Sequence, residues 1–318
     1  MKNELAYRVG GLLYTPALNE TVADKIISGL FSNLMSISFC LEDSIEDSAL
    51  QTAEKQLVQT LKKLYSANID LPFIFVRIRT PKHMKHIHEI LGDIEEIVTG
   101  YILPKFDLTN GVKYIDIIRD FNGYRNTPIY IMPILESRTV ADIGNRVKVM
   151  EEIKLLLDSA EAYVLNVRVG GNDFSNLYGL RRNADQNIYQ IGVIRDILVN
   201  IVNIFSADYV VSGPVWDYFD TNDGDSWETG LRNEIRLDLL NGFFGKTAIH
   251  PSQLPVIFDE LKVSRADYED AKVITGWQSD SFAVGKSTIS GRMNEVKCHN
   301  KWAKQVMIRA EIYGVRGQ

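Results

Sequence analysis

The chain is short of cysteine, of basic residues and of long apolar runs, and each shortage narrows what it can be. Two cysteines among 318 residues, Cys40 and Cys298, are too few for a disulfide framework. No hydrophobic stretch is long enough to span a bilayer. The polar opening from Met1 to Arg8 lacks the apolar core of a secretion signal. Lys and Arg number 35 against 41 Asp and Glu, a formal net charge of −6, which argues against a basic face for nucleic acid. No repeat or low-complexity segment interrupts the chain. The expectation is a soluble, cytoplasmic protein with neither membrane nor nucleic-acid partners. Hydrophobic residues at 45% suffice for a large core, and a barrel of this length is commonly one domain plus extensions.

What is present is alternation. Short β-rich runs at Gly11–Pro16, Ser36–Glu42, Pro72–Arg79, Gly100–Phe106, Pro128–Leu135, Ala162–Gly170, Asp208–Pro214 and Lys246–His250 are separated by amphipathic stretches at helical spacing. Runs such as FIFVRI and IYIMPIL are continuously apolar, as parallel strands covered on both faces require. Eight strands each followed by a helix predict an α/β fold, a TIM (β/α)8 barrel, rather than an open doubly wound sheet. After the eighth strand, Ser252–Leu261 and Arg265–Gln278 read as helices, Ser279–Gly291 as a loop and Lys297–Ile312 as a last helix. The division expected is a barrel with trailing helices over 1–278 and a C-terminal helical extension over 279–318, packed on its own barrel or on a neighbouring subunit.

Barrel active sites lie where the strands end, so the polar residue closing each strand is informative. Strand two ends in Glu42 and Asp43, strand three in Arg77 and Arg79, strand four carries Lys105, strand five Glu136, strand six Asp173 and strand eight His250. Glu136 and Asp173 on adjacent strands suit one hard divalent cation; each would equally cap the helix that follows it. Arg77 inside an apolar strand needs a partner, either a substrate carboxylate or Glu42 and Asp43. Lys105 suits an anion or a neighbouring acid. His83, His86 and His88 read as an exposed helix start, without the further ligands of a zinc site. Gly170-Gly171-Asn172-Asp173 is no dinucleotide fingerprint; its glycines allow a tight turn that places Asp173. Trp216 and Tyr218 read as cover for the barrel rim, and Arg181 and Arg182 as a solvated loop or an anion contact.

Taken together, GKTAIHPSQLPVI at 245–257, GLLYTPA near the start, CLEDSIED at 40–47, and FVRI, YILPKF, PILES and VGGNDF in order resemble the citrate lyase beta-subunit group of the HpcH/HpaI aldolase superfamily. The more divergent loops resemble an outlying branch, the TIM-barrel C–C bond lyases found beside tellurite-resistance genes. The resemblance implies an enzyme, a carbon–carbon lyase using Mg2+ (Mn2+ as an alternative). Its metal ligands would be Glu136 and Asp173. Its carboxylate-binding arginine would be Arg77, with Lys105 a further substrate contact. Glu42 and Asp43 would be acids lining the site. Relatives work as homo-oligomers, a trimer among the options, in which the last acid of a C-terminal D-G-x-M-V-D segment reaches a neighbour's site. Here that stretch reads Ser290-Gly291-Arg292-Met293-Asn294-Glu295, which puts Glu295 in the catalytic position. Cys40 stands where the family has Asp, Ser137 where Thr is common, and Asn172 where an acid is frequent. The implied substrate is a small oxo or hydroxy acid, or its thioester with coenzyme A or acyl carrier protein. The alternatives are a metal-dependent aldolase on free 2-oxo acids and a ligand-binding barrel without turnover.

Overall fold

A computed structural model describes residues 2–219, 226–278 and 282–317. The chain forms two compact units, Met1–Ile257 and Phe258–Gln318. In the first, seven parallel strands, β1 (Gly11–Pro16), β2 (Ser36–Cys40), β3 (Phe73–Arg77), β4 (Val98–Leu103), β5 (Tyr130–Leu135), β6 (Arg168–Val169) and β7 (Lys246–Ala248), are ordered β6-β5-β4-β3-β2-β1-β7. The segment expected at 208–214 joins the two ends through single bridges, Val167 to Val211 and Gly213 to Lys246. Ser212 N–H donates to the Val167 carbonyl at 2.8 Å and Gly213 N–H to that of Gly245 at 3.0 Å. Pro214 has no N–H to extend this pairing. Helices pack between successive strands, so the unit is a TIM-type α/β fold.

Why the strands point particular residues inward follows from their period of two. Phe73 and Phe75 on β3, and Tyr130, Met132 and Ile134 on β5, belong to one interior cluster with Leu12, Ile102 and Leu165. Continuing each alternation brings Arg77 and Glu136 to the same face, above that apolar floor. The floor is completed from outside the sheet. Ala6 and Val9 join the cluster from and just beyond a helix at Lys2–Arg8. That helix is absent from the sequence reading because seven residues are too few for a helical period to show.

The second unit has its own apolar cluster. Val263, Ala271 and Ile274 pack with Ala303 and Val306, which joins the helix Arg265–Thr275 to the helix Val296–Tyr313. The expected loop at 279–291 differs: β8 (Val284–Lys286) pairs antiparallel with β9 (Met293–Glu295). Residues 279–281 of that stretch lie outside the described residues. The Gly- and Ser-rich composition hid two three-residue strands too short for alternation to reveal. Among the described residues no helix is long and apolar enough to cross a membrane.

Candidate active site

Five of the expected residues converge in the first unit at the C-terminal strand ends. Arg77 closes β3 and is buried, with Nη2 2.7 Å from Glu42 Oε2, 2.9 Å from Asp43 Oδ2 and 3.7 Å from Glu136 Oε1. Of its two sequence readings, this is the pairing with Glu42 and Asp43. Its Nε is buried without a hydrogen-bond partner. Lys105 follows β4 in a left-handed turn, φ +48°. That turn aims its backbone N–H at Glu136 Oε1, 2.8 Å away, while Nζ reaches Glu42 Oε1 at 2.6 Å and Asp43 Oδ1 at 3.2 Å.

The electrostatics divide the acids. Burial and a hydrogen bond with Asp43 raise the Glu42 carboxyl, against the pull of Arg77. Burial would raise Asp43 too, but its hydrogen bond with Glu42 and the charges of Arg77 and Lys105 outweigh it and bring Asp43 to about 2. Glu136, 6% exposed, is pushed up to about 8 by burial and by the negative charge of Asp173. Asp173, in the first turn of the helix Gly171–Leu177, is half-buried and makes no hydrogen bond or salt bridge to another described residue. It makes no side-chain cap on that helix, although its place in the first turn sets its charge at the positive end of the helix. The intervening glycine is dictated by space: a Cβ on Gly170 would lie 2.1 Å from Glu136 Oε2.

Asp43, Arg77, Glu136 and Asp173 border a cavity of about 420 Å3, which also reaches Tyr14, Thr247 and a residue the sequence reading passed over, Arg168. Arg168 is 2% exposed on β6 and donates to Ser212 Oγ at 3.3 Å and Thr247 Oγ1 at 2.7 Å. Its signal was present: an arginine within the apolar LNVRV run, the same anomaly as Arg77 in FVRI.

Other candidates fall elsewhere. Arg79 lies past the end of β3 and ties down the loop after β2, donating to the Leu41 carbonyl at 2.7 Å and pairing with Asp47. His250 is exposed and stacks on Phe219, ring centroids 4.5 Å apart. His83 is not an exposed helix start: Nδ1 accepts the Arg79 N–H at 3.1 Å, which leaves the Nε2 proton for Glu54 Oε1 at 3.1 Å. Arg182, expected in a solvated loop, is buried 3.1 Å from Glu234, and Trp216, expected at the rim, is fully buried beneath it. Glu295 belongs to the second unit, at the end of β9, where its N–H donates to His299 Nδ1 at 3.0 Å.

The family model described as C–C bond lyase of the TIM-barrel fold matches residues 3–315. The chain belongs to that family. It is therefore a carbon–carbon lyase by family, and the TIM-barrel C–C bond lyase branch expected from the divergent loops is the one found. Similar solved structures show the fold. Protein CitE from Mycobacterium tuberculosis, in complex with magnesium, acetoacetate and coenzyme A, is 19% identical with a TM-score of 0.62, over 96% of this chain and 99% of that one. RipC from Yersinia pestis is 17% identical with a TM-score of 0.54, over 80% and 95%. The M. tuberculosis citrate lyase beta subunit with oxaloacetate and magnesium is 19% identical with a TM-score of 0.53, over 80% and 98%. No curated protein sequence matches the chain.

Proposed function

We propose that this lyase uses Mg2+, or Mn2+ in its place, to cleave or form a C–C bond in a small hydroxy or oxo acid, free or as a thioester of coenzyme A or acyl carrier protein. The observation that carries this is the Glu136–Asp173 pair. A buried carboxyl raised by burial and by a neighbouring carboxylate that accepts nothing from the described residues is an arrangement that gains from a divalent cation. The donors are oxygen only, and two protein ligands leave positions for water and substrate, which suits Mg2+. Among the described residues no group of three or more His, Cys, Asp or Glu is placed to hold a metal, which disfavours a zinc-type cage. The solved relatives that hold magnesium with acetoacetate or oxaloacetate support the same reading.

When bound, the cation would supply positive charge that stabilises the negative charge developing on the substrate oxygen as the C–C bond breaks. The chain's own residues have distinct tasks. Arg77 holds Glu42 and Asp43 in place and lines the cavity, where its guanidinium would orient a substrate carboxylate. Lys105 fixes Glu136 through its backbone and adds a second positive charge near the mouth. Glu42, whose carboxyl is raised by burial, is in its ionised form a stronger base than Asp43 and so better suited to take the hydroxyl proton in the cleavage direction. Glu295 of a neighbouring copy is the second candidate base, in a homo-oligomer whose C-terminal unit completes the next protomer's site.

The test is to follow 2-oxo-acid release from hydroxy-acid thioesters and from free hydroxy acids, with and without Mg2+. Mg2+-dependent cleavage of either class is expected. Binding of Mg2+ and an oxo acid without cleavage of any member would overturn the catalytic reading in favour of a binding barrel. For the oligomer, mixed Arg77→Ala and Glu295→Ala protomers should regain part of the activity that each lacks alone; a fully active Glu295→Ala protein would defeat that part.

A further inference from the structure

Charges around the cavity can be matched one against another. Arg77 and Lys105 share Glu42 and Asp43 at 2.6 to 3.2 Å, two positive charges against two negative. Glu136 and Asp173 are the pair assigned above to a divalent cation, again two against two. One lining charge remains. Arg168 pairs with no carboxylate among the described residues; its partners are the hydroxyls of Ser212, Thr247 and Tyr14. A cation 2% exposed with only neutral acceptors is costly to keep, because hydroxyl dipoles replace water incompletely. Ser212 is itself braced, donating to Asn166 Oδ1 at 2.9 Å, so the acceptors are held in position rather than gathered by chance.

We infer that Arg168 binds the substrate's carboxylate at the inner end of the cavity, with Thr247 and Tyr14 as its hydroxyl neighbours. The inference rests on the lyase reading and makes it more specific: the acid enters as a carboxylate whose charge is balanced by Arg168, while Arg77, already compensated, orients it. A guanidinium has five N–H donors, so contacts to three hydroxyls leave donors for an incoming anion. The same arrangement explains why a buried arginine is kept on a barrel strand. An empty cavity pays for it in stability, and a bound carboxylate relieves the cost.

Calorimetry with pyruvate as the probe, at saturating Mg2+, tests this on wild type, Arg168→Gln and Arg168→Lys. Glutamine keeps a donor for Thr247 and removes the charge. Arg168→Gln is expected to bind Mg2+ as wild type does and to melt no lower in the absence of acid. It should bind pyruvate about 10- to 100-fold more weakly, the range for losing a charged hydrogen bond. Arg168→Lys should recover part of that loss. Pyruvate affinity in Arg168→Gln within about twofold of wild type would overturn the role. So would a lowered melting temperature without ligand in both variants, which marks Arg168 as structural. Wild-type protein that binds neither Mg2+ nor pyruvate would instead overturn the lyase reading, a result separable from the others.

Discussion

Two groups of charged residues sit inside the same barrel unit, and they are built differently. Around Lys246, on β7 and fully buried, every carboxylate oxygen accepts a hydrogen bond. Lys246 Nζ donates to Glu234 Oε1 at 2.9 Å and Asp238 Oδ2 at 2.7 Å; Ile188 N–H donates to Glu234 Oε2 at 2.8 Å and the Tyr189 hydroxyl to Asp238 Oδ1 at 2.6 Å. Arg182 adds a second cation at 3.1 Å from Glu234. At the strand ends, by contrast, Asp173 accepts nothing from the described residues, Glu136 is pressed against its neighbour's charge, and Arg168 has only hydroxyls. Burial alone therefore does not separate function from structure here. The separation lies in whether the charges are satisfied: the first group locks the loop at Gly179–Gln190 to the helix Ser226–Leu240, and the second stores a deficit that a ligand would remove.

Lys246→Met should produce the largest effect on folding. It leaves Asp238, whose carboxyl burial already raises, without its cation, and removes one of the two cations from Glu234. Breaking a buried pair by removing one partner costs about 3–5 kcal/mol. Chemical denaturation should show that loss, with pyruvate and Mg2+ affinity retained in whatever fraction stays folded. A variant as stable as wild type would mean the network is not structural, and the contrast drawn above would collapse.

Gly170→Ala should come next, and should strike both properties. The added Cβ meets Glu136 Oε2 at 2.1 Å and Glu136 Cβ at 2.4 Å, and neither is the free end of a flexible chain, since Lys105 N–H fixes the other oxygen. Overpacking of this kind costs about 1–3 kcal/mol. Because Glu136 must move, Mg2+ affinity should fall with it. Unchanged metal affinity in this variant would detach the glycine from the site.

Much of this was legible before the structure, for physical reasons that also mark the limits. Strands β3 and β5 are continuous apolar runs because parallel strands are covered on both faces, and the polar residues at the strand ends, Glu42, Asp43, Arg77, Lys105 and Glu136, do meet. The seventh strand position was harder, since it survives as two bridges beside Pro214. Sequence reasoning looked for chemistry in the residue that closes each strand, so it passed over Arg168 and Lys246, which open β6 and β7. A lone cation in an apolar run is the signal for both, yet the run cannot say which one finds its carboxylates. That depends on the helix at 226–240, distant in sequence, which delivers Glu234 and Asp238 to Lys246 and none to Arg168.

Near pH 5 the smallest expected change in stability belongs to Glu136→Gln, and its pH dependence is the most informative. In the metal-free protein this carboxyl is raised from 4.5 to about 8 by burial and by Asp173, so the folded state holds a proton that the unfolded chain releases above about 4.5. The folded state then binds more protons than the unfolded one between those values. Stability must fall as pH rises through that window, by up to about 1.4 kcal/mol per pH unit, and level off beyond it. Glutamine mimics the protonated form and removes the proton from the exchange. Glu136→Gln should therefore match wild type near pH 5, exceed it near pH 8, and show a flatter melting-temperature profile across that range, while losing most of its Mg2+ affinity. Saturating Mg2+ should flatten the wild-type profile as well, because a cation held by the proposed carboxylate pair would displace the proton from Glu136, but should leave the variant's melting temperature unmoved. Parallel wild-type and variant profiles without metal would show that Glu136 is ionised in the fold and that Asp173 exerts no pressure on it, placing this pair in the satisfied class with Lys246 and its acids.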